Sequence, residues 1–189
     1  MRFEEDLKES LKVLKEEGII LYPTDTIWGL GCDATSPSAV AKIFKIKSRQ
    51  ESSSLIILVN GLSMLERYVK EIPQVAYHLT SVSDSPLTII YPGGRNLAEA
   101  AYAGDGSVGI RICNDDFCNE LISRFRKPIV STSANKTGEP PPSNFSEINK
   151  SVINSADYAV RYRQEDKRKY SASPVIKVER NGVFKILRQ

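Results

Sequence analysis

The sequence predicts an α/β domain built on a mixed β-sheet. Two observations carry this reading. Short apolar runs bounded by turn residues are interleaved with amphipathic helical stretches, and the chain closes on strand-like runs joined by Asn181-Gly182, a strong hairpin signal. Strands mixed with helices and ending in a hairpin place both parallel and antiparallel neighbours in one sheet.

The elements follow in order. Phe3, Leu7, Leu11 and Leu14 fall at helical spacing, and Gly18 ends the helix. "IILY" (19–22) is a buried strand closed by Pro23, after which Gly29 and Gly31 read as bends. "SPSAVAKIFKIK" is a helix capped by Ser36 with Pro37 in its first turn and Val40, Ile43 and Phe44 on its apolar face. "SLIILVN" is a second buried strand, followed by helices over "LSMLERYV" and "PQVAYHLTSV". "LTIIY" and "VGIRI" are strands separated by the long loop "PGGRNLAEAAYAGDGS". "DFCNELISRF" is a helix, "PIVSTSAN" a strand entering a polar turn, and "NFSEINKSVI" a short helix. "DYAVR", "PVIKVE" and "VFKIL" are the last strands, and the basic stretch "RYRQEDKRKYSAS" reads as a mobile loop over one face.

The 189 residues suit one domain, 1–189, large enough to bury roughly 70% of its unfolded surface without disulfides or metals. Three scattered cysteines, Cys32, Cys113 and Cys118, suit a reducing cytoplasm. With one histidine, His78, and no CxxC pair, a zinc site is not expected. "MRFEEDLKES" has acids where a signal peptide has an apolar core, and no apolar run approaches the ~20 residues of a membrane span, so a cytoplasmic location without membrane attachment is expected. The formal charge of +3 fits a phosphorylated ligand or RNA.

Four places carry polar residues that packing alone does not require. Thr24-Asp25-Thr26 lies just past a strand end, where α/β sheets gather ligands; a turn that satisfies its own backbone is the other reading. Lys47-Ser48-Arg49 either complements the dipole of its helix or turns a lysine and a forked guanidinium toward a polyphosphate. In Ser131-Thr132-Ser133-Ala134-Asn135, strand alternation puts Ser131, Ser133 and Asn135 on one face, able to bind phosphate, ribose or carboxylate oxygens. Asn135 also reads as a turn former ahead of Gly138. Arg111, between Ile110 and Ile112, either faces solvent or clamps a carboxylate. No GxxxxGK[ST] loop and no GxGxxG follows a strand, so any nucleotide is held by side chains.

"YPTDTIWGLGCDAT", "AKIFKIKSR" and "KPIVSTSANKTGEPP", in this order, resemble the YrdC-like family, the threonylcarbamoyl-AMP synthases, from about residue 10 onward. The chain looks like the short single-domain form. The resemblance implies a twisted open sheet with flanking helices and a basic concave face. It implies that L-threonine, bicarbonate and ATP become threonylcarbamoyl-AMP and pyrophosphate, and that threonylcarbamoyl-transferase proteins pass the group to tRNA; Mg2+ is expected with ATP because metals commonly neutralise phosphate charge. By the same resemblance Lys47, Arg49, Ser133 and Asn135 lie at the nucleotide, with Lys47 and Arg49 as the catalytic cations. Thr24 and Arg111 meet threonine, and Ser131, Ser173, Ser107 and Arg188 align with further lining positions: Ser131 and Ser173 toward threonine, Ser107 and Arg188 toward ATP. The chain departs from the family pattern at Gln50–Leu55, where many members carry a second lysine, and at Trp28, where the family has tyrosine. An RNA-binding module without this catalysis and a paralogous nucleotidyltransferase with another acyl substrate are the rival readings.

Overall fold

A computed structural model describes residues 3–48, 55–83 and 85–189. Its strands are β1 (Ile20–Tyr22), β2 (Gly29–Gly31), β3 (Ile56–Val59), β4 (Thr88–Tyr91), β5 (Val108–Ile112), β6 (Ile129–Ser133), β7 (Tyr158–Ala159), β8 (Val175–Val178) and β9 (Phe184–Arg188). They join in one sheet of order β7-β1-β2-β6-β3-β5-β4-β8-β9. The pairs β1/β7, β3/β5 and β4/β8 are parallel and the others antiparallel, so the sheet is mixed, as the sequence predicts.

Helices flank it: α1 (Glu4–Lys15), α2 (Pro37–Lys47), α3 (Leu62–Tyr68), α4 (Gln74–Val82), α5 (Asp116–Phe125) and the single turn α6 (Lys150–Ile153). Their ends obey simple electrostatics and capping. α1 opens on Glu4, Glu5 and Asp6 and closes on Lys12 and Lys15, matching its dipole. The Ser36 hydroxyl accepts from Ala39 N at the start of α2, and the Asp115 side chain accepts from Cys118 N at the start of α5. No helix among the described residues is long and apolar enough to cross a membrane.

Register decides what each face of the sheet does. One row of partners, Val130, Ile57, Ile110, Ile89 and Ile176, is wholly apolar and sits in the hydrophobic core. The alternate rows run Ser131–Ile56–Gly109–Ile90 and Arg111–Thr88–Val175–Arg188, with Gly29 opposite Ser133. Because side chains alternate across a strand, these polar and small residues share the opposite face.

Three elements differ from the sequence reading. Gly29 and Gly31 form strand β2, not bends. A Cβ on Gly31 would stand 2.5 Å from Tyr22 Cε1 and 2.8 Å from Val130 O, and one on Gly29 would stand 2.9 Å from Ser131 Oγ. Glycine is required here because β1, β2 and β6 approach too closely for side chains, and this strand therefore lacks every residue type that advertises a strand. The helix predicted over 144–153 is a 3-10 turn, Phe145–Glu147, followed by α6. Asn149 interrupts it, accepting from Ser151 N to start a new cap. The strand predicted over 157–161 pairs only at Tyr158–Ala159, since the carboxylate of Asp6 takes the next free N–H groups, those of Arg161 and Tyr162.

The 161–173 stretch is tied down at several points. Arg163 donates to Thr24 O at 3.1 Å and pairs with Asp115 at 2.8 Å, while Tyr170 N donates to Ser143 O at 3.0 Å. All three cysteines are buried thiols.

Candidate active site

The alternate rows of the sheet floor a cavity of about 270 Å3. Thr26, Trp28 and Gly29 close one side, Ser131 and Ser133 stand beside them, and Arg111, Thr88, Ser173 and Arg188 form the other side. Among the described residues no Asp or Glu lines it, whereas two guanidinium groups do. Such a wall selects an anion or an acceptor-rich ligand.

Arg111 is 3% exposed, so the reading in which it faces solvent is corrected. Its Nη1 pairs with the carboxylate of Asp25, and its Nε has no partner among the described residues. A buried N–H without an acceptor costs stability, and here it belongs to a residue of the cavity wall. Arg188 donates from Nε and Nη2 to the Ser173 carbonyl oxygen at 2.9 and 2.7 Å. Burial, and then the positive charge of Arg111, hold the Arg188 guanidinium below its usual pKa. Two cations that repel one another converge on one hollow, and an anion between them relieves that repulsion. The Ser173 hydroxyl lies 2.8 Å from that of Thr88.

Lys47 shows a different environment. The residue is 4% exposed, and its ammonium donates to Ser133 O at 2.8 Å, to Asn135 Oδ1 at 2.9 Å and to Asn135 O. Ser133 Oγ donates to the same Asn135 Oδ1, and Thr137 Oγ1 to Lys47 O. The end of α2 is thereby bonded to the turn that follows β6. Lys47 and Asn135 thus join the cavity through Ser133 without lining it.

The expected site residues therefore divide. Arg111, Ser131, Ser133, Ser173 and Arg188, from three strands and one loop, line one cavity. Thr24 does not: its hydroxyl is directed inward, accepting from Thr26 N at 3.0 Å and donating to Ile27 O at 2.9 Å. The neighbouring Thr26 reaches the wall instead. Ser107 is also elsewhere. The Asp105 carboxylate takes its N–H at 2.9 Å in the turn before β5, and it lines a separate hollow with Asp105, Lys177 and Glu179. Arg49 lies outside the described residues. Thr26 belongs to the Thr24-Asp25-Thr26 stretch expected near a ligand, whereas sequence reasoning gives Trp28 and Thr88 no place on this wall. Thr88 becomes visible only once β4 is registered against Arg111 of β5.

A family model described as telomere recombination, Sua5/YciO/YrdC, matches residues 12–189. The chain belongs to the Sua5/YciO/YrdC family. Among curated relatives in this family, the threonylcarbamoyl-AMP synthase of Psychromonas ingrahamii is 32% identical over 148 residues, covering 77% of this chain and 78% of the relative. That of an Enterobacter species is 30% identical over 145 residues, covering 75% and 76%. The fold agrees with Sua5 of P. abyssi in complex with L-threonine, with a TM-score of 0.82 and 26% identity over 93% of this chain and 51% of that one. Escherichia coli YciO matches with a TM-score of 0.82 at 20% identity over 98% of this chain and 89% of its own, which speaks to the shared architecture alone. This chain thus spans about half the length of the Sua5 protein and over three quarters of the curated bacterial relatives.

Proposed function

We propose that this chain is a threonylcarbamoyl-AMP synthase, forming threonylcarbamoyl-AMP and pyrophosphate from L-threonine, bicarbonate and ATP for modification of tRNA adenosine. Family membership supports this reading, and one observation on the chain itself carries it. Arg111 and Arg188 converge on a hollow lined by Thr26, Thr88, Ser131, Ser133 and Ser173, with no carboxylate on its wall among the described residues. That arrangement suits an amino-acid carboxylate and a phosphate chain side by side.

The chemistry needs positioning more than proton transfer. The neutral amine of threonine adds to the carbon of bicarbonate with loss of water, giving a carbamate. A carbamate oxygen then bonds to the α-phosphorus of ATP, and the bond from that phosphorus to the bridging oxygen breaks, with pyrophosphate as leaving group. Negative charge grows on phosphate oxygens, so fixed cations lower the barrier. Arg111 holds the threonine carboxylate and Arg188 meets the phosphates. The bonds from Lys47 to Ser133 and Asn135 fix the turn against which the nucleotide lies. Arg49 completes the nucleotide side in this reading. The unstable carbamate requires shelter from water, which the buried floor supplies.

Mg2+ is expected with ATP. Among the described residues no group of three or more His, Cys, Asp or Glu is placed to hold a metal ion, so the lining residues do not fit a protein-held cation and no step is routed through one. Threonylcarbamoyl-transferase proteins and tRNA are the proposed downstream partners. The deciding experiment follows pyrophosphate on mixing the protein with ATP, bicarbonate and L-threonine. The reading requires release that stops when threonine or bicarbonate is omitted; release indifferent to threonine defeats it.

A further inference from the structure

Asp25 is left without a role by this chemistry, although it sits directly behind the cavity. Its side chain is 7% exposed and does not line the cavity; it faces a second hollow with Asn60, Asn114 and Asn119. Both carboxylate oxygens are used as acceptors. Oδ1 takes Arg111 Nη1 and the Cys113 thiol, the latter at 3.3 Å, and Oδ2 takes Asn114 N at 3.0 Å. Only a carboxylate satisfies this set, because an amide would set its NH2 against a donor on one side or the other.

The pair has an electrostatic consequence. Arg188 is bonded to a neutral oxygen, the Ser173 carbonyl, and among the described residues to no carboxylate, so its charge is uncompensated. Arg111 is paired with Asp25, which offsets much of its charge, and keeps an unpartnered, buried Nε among the described residues. Its side of the cavity therefore carries less net positive charge than that of Arg188, although the Arg111 guanidinium is still felt there. A polyphosphate gains mainly from net charge, whereas the carboxylate of a zwitterion of zero net charge gains mainly from directed hydrogen bonds.

Resting on the functional reading above, we propose that Asp25 is a specificity-determining residue: it orients Arg111 and offsets its charge, so that this side of the cavity accepts an amino-acid carboxylate in preference to the phosphate chain. Asp25 acts through Arg111 and touches neither substrate, so it is a positioning residue.

The test is calorimetric titration of L-threonine, with and without saturating inorganic pyrophosphate, at temperatures well below each protein's melting point. In the unaltered protein pyrophosphate leaves threonine affinity within about twofold. In Asp25→Asn, threonine binds about tenfold more weakly, and pyrophosphate weakens it about tenfold further by occupying Arg111, whose charge is no longer offset. Asp25→Glu keeps the charge and guards against a misfolded first variant: threonine weakens while indifference to pyrophosphate persists. In an Arg111→Ala background, Asp25→Asn changes neither quantity. The proposal is overturned if pyrophosphate fails to compete in Asp25→Asn, if it competes in Asp25→Glu, or if threonine and pyrophosphate affinities fall in equal proportion. An unaltered protein that binds no threonine defeats the functional reading instead, a distinct result.

Discussion

The wall of the cavity and the turn behind it hold cations in opposite ways. Behind the wall, the ammonium of Lys47 is bonded to three oxygens of the turn after β6. On the wall itself, Arg111 and Arg188 stand close enough for the charge of one to disfavour that of the other, and Arg111 keeps an idle N–H. A cation wrapped in backbone carbonyls organises the protein, whereas a cation short of acceptors is prepared for something from outside. The contrast separates architecture from recognition within one site.

Four substitutions would break or sharpen that contrast. The largest effect is expected from Arg111→Ala, which removes the proposed threonine contact and strands Asp25: kcat/KM for threonine falls about 300-fold, and denaturant unfolding shows a loss of about 3 kcal/mol. Next comes Lys47→Ala. Three acceptors lose their donor, so stability falls by about 2 kcal/mol and activity falls with it, and both losses appear together in melting and pyrophosphate assays. Arg188→Gln should divide the two properties: KM for ATP rises about tenfold while the unfolding midpoint stays within the scatter of a surface change, about 0.5 kcal/mol. Equal stability losses for Arg188→Gln and Lys47→Ala would erase the distinction. The smallest change is expected for Ser133→Ala, which removes one bond to Asn135 and costs about 1 kcal/mol with little effect on threonine KM.

Much of this arrangement was legible before any coordinates. Periodicity located α1, α2 and α5, and apolar runs located β3 to β6, because those elements bury one face and say so in residue type. The interruption of "VGIRI" by an arginine singled out Arg111, and alternation in "PIVSTSAN" put Ser131 and Ser133 on one face. What remained hidden was set by tertiary proximity. β2 is a strand because its neighbours leave no room for a Cβ, a fact that composition reports as flexibility. The inward turn of the Thr24 hydroxyl depends on Ile27 O being within reach, and the displacement of Ser107 depends on Asp105. Local hydrogen bonds of this kind redirect a side chain without altering any pattern along the chain. The pairing of Arg111 was equally invisible, since Asp25 is 86 positions away.

Arg188 is borne by β9, the outermost strand of the sheet, whose five residues are all exposed and which is paired on one side among the described residues. Outer strands open far more readily than a buried centre, and their amides exchange with solvent long before the molecule as a whole comes apart. Warming should therefore silence catalysis ahead of global melting, with nucleotide affinity failing first as the hairpin peels away. The fold itself becomes a fuse: the outermost strand carries the arginine proposed to meet the phosphates, and heat disconnects it while the rest of the fold stands.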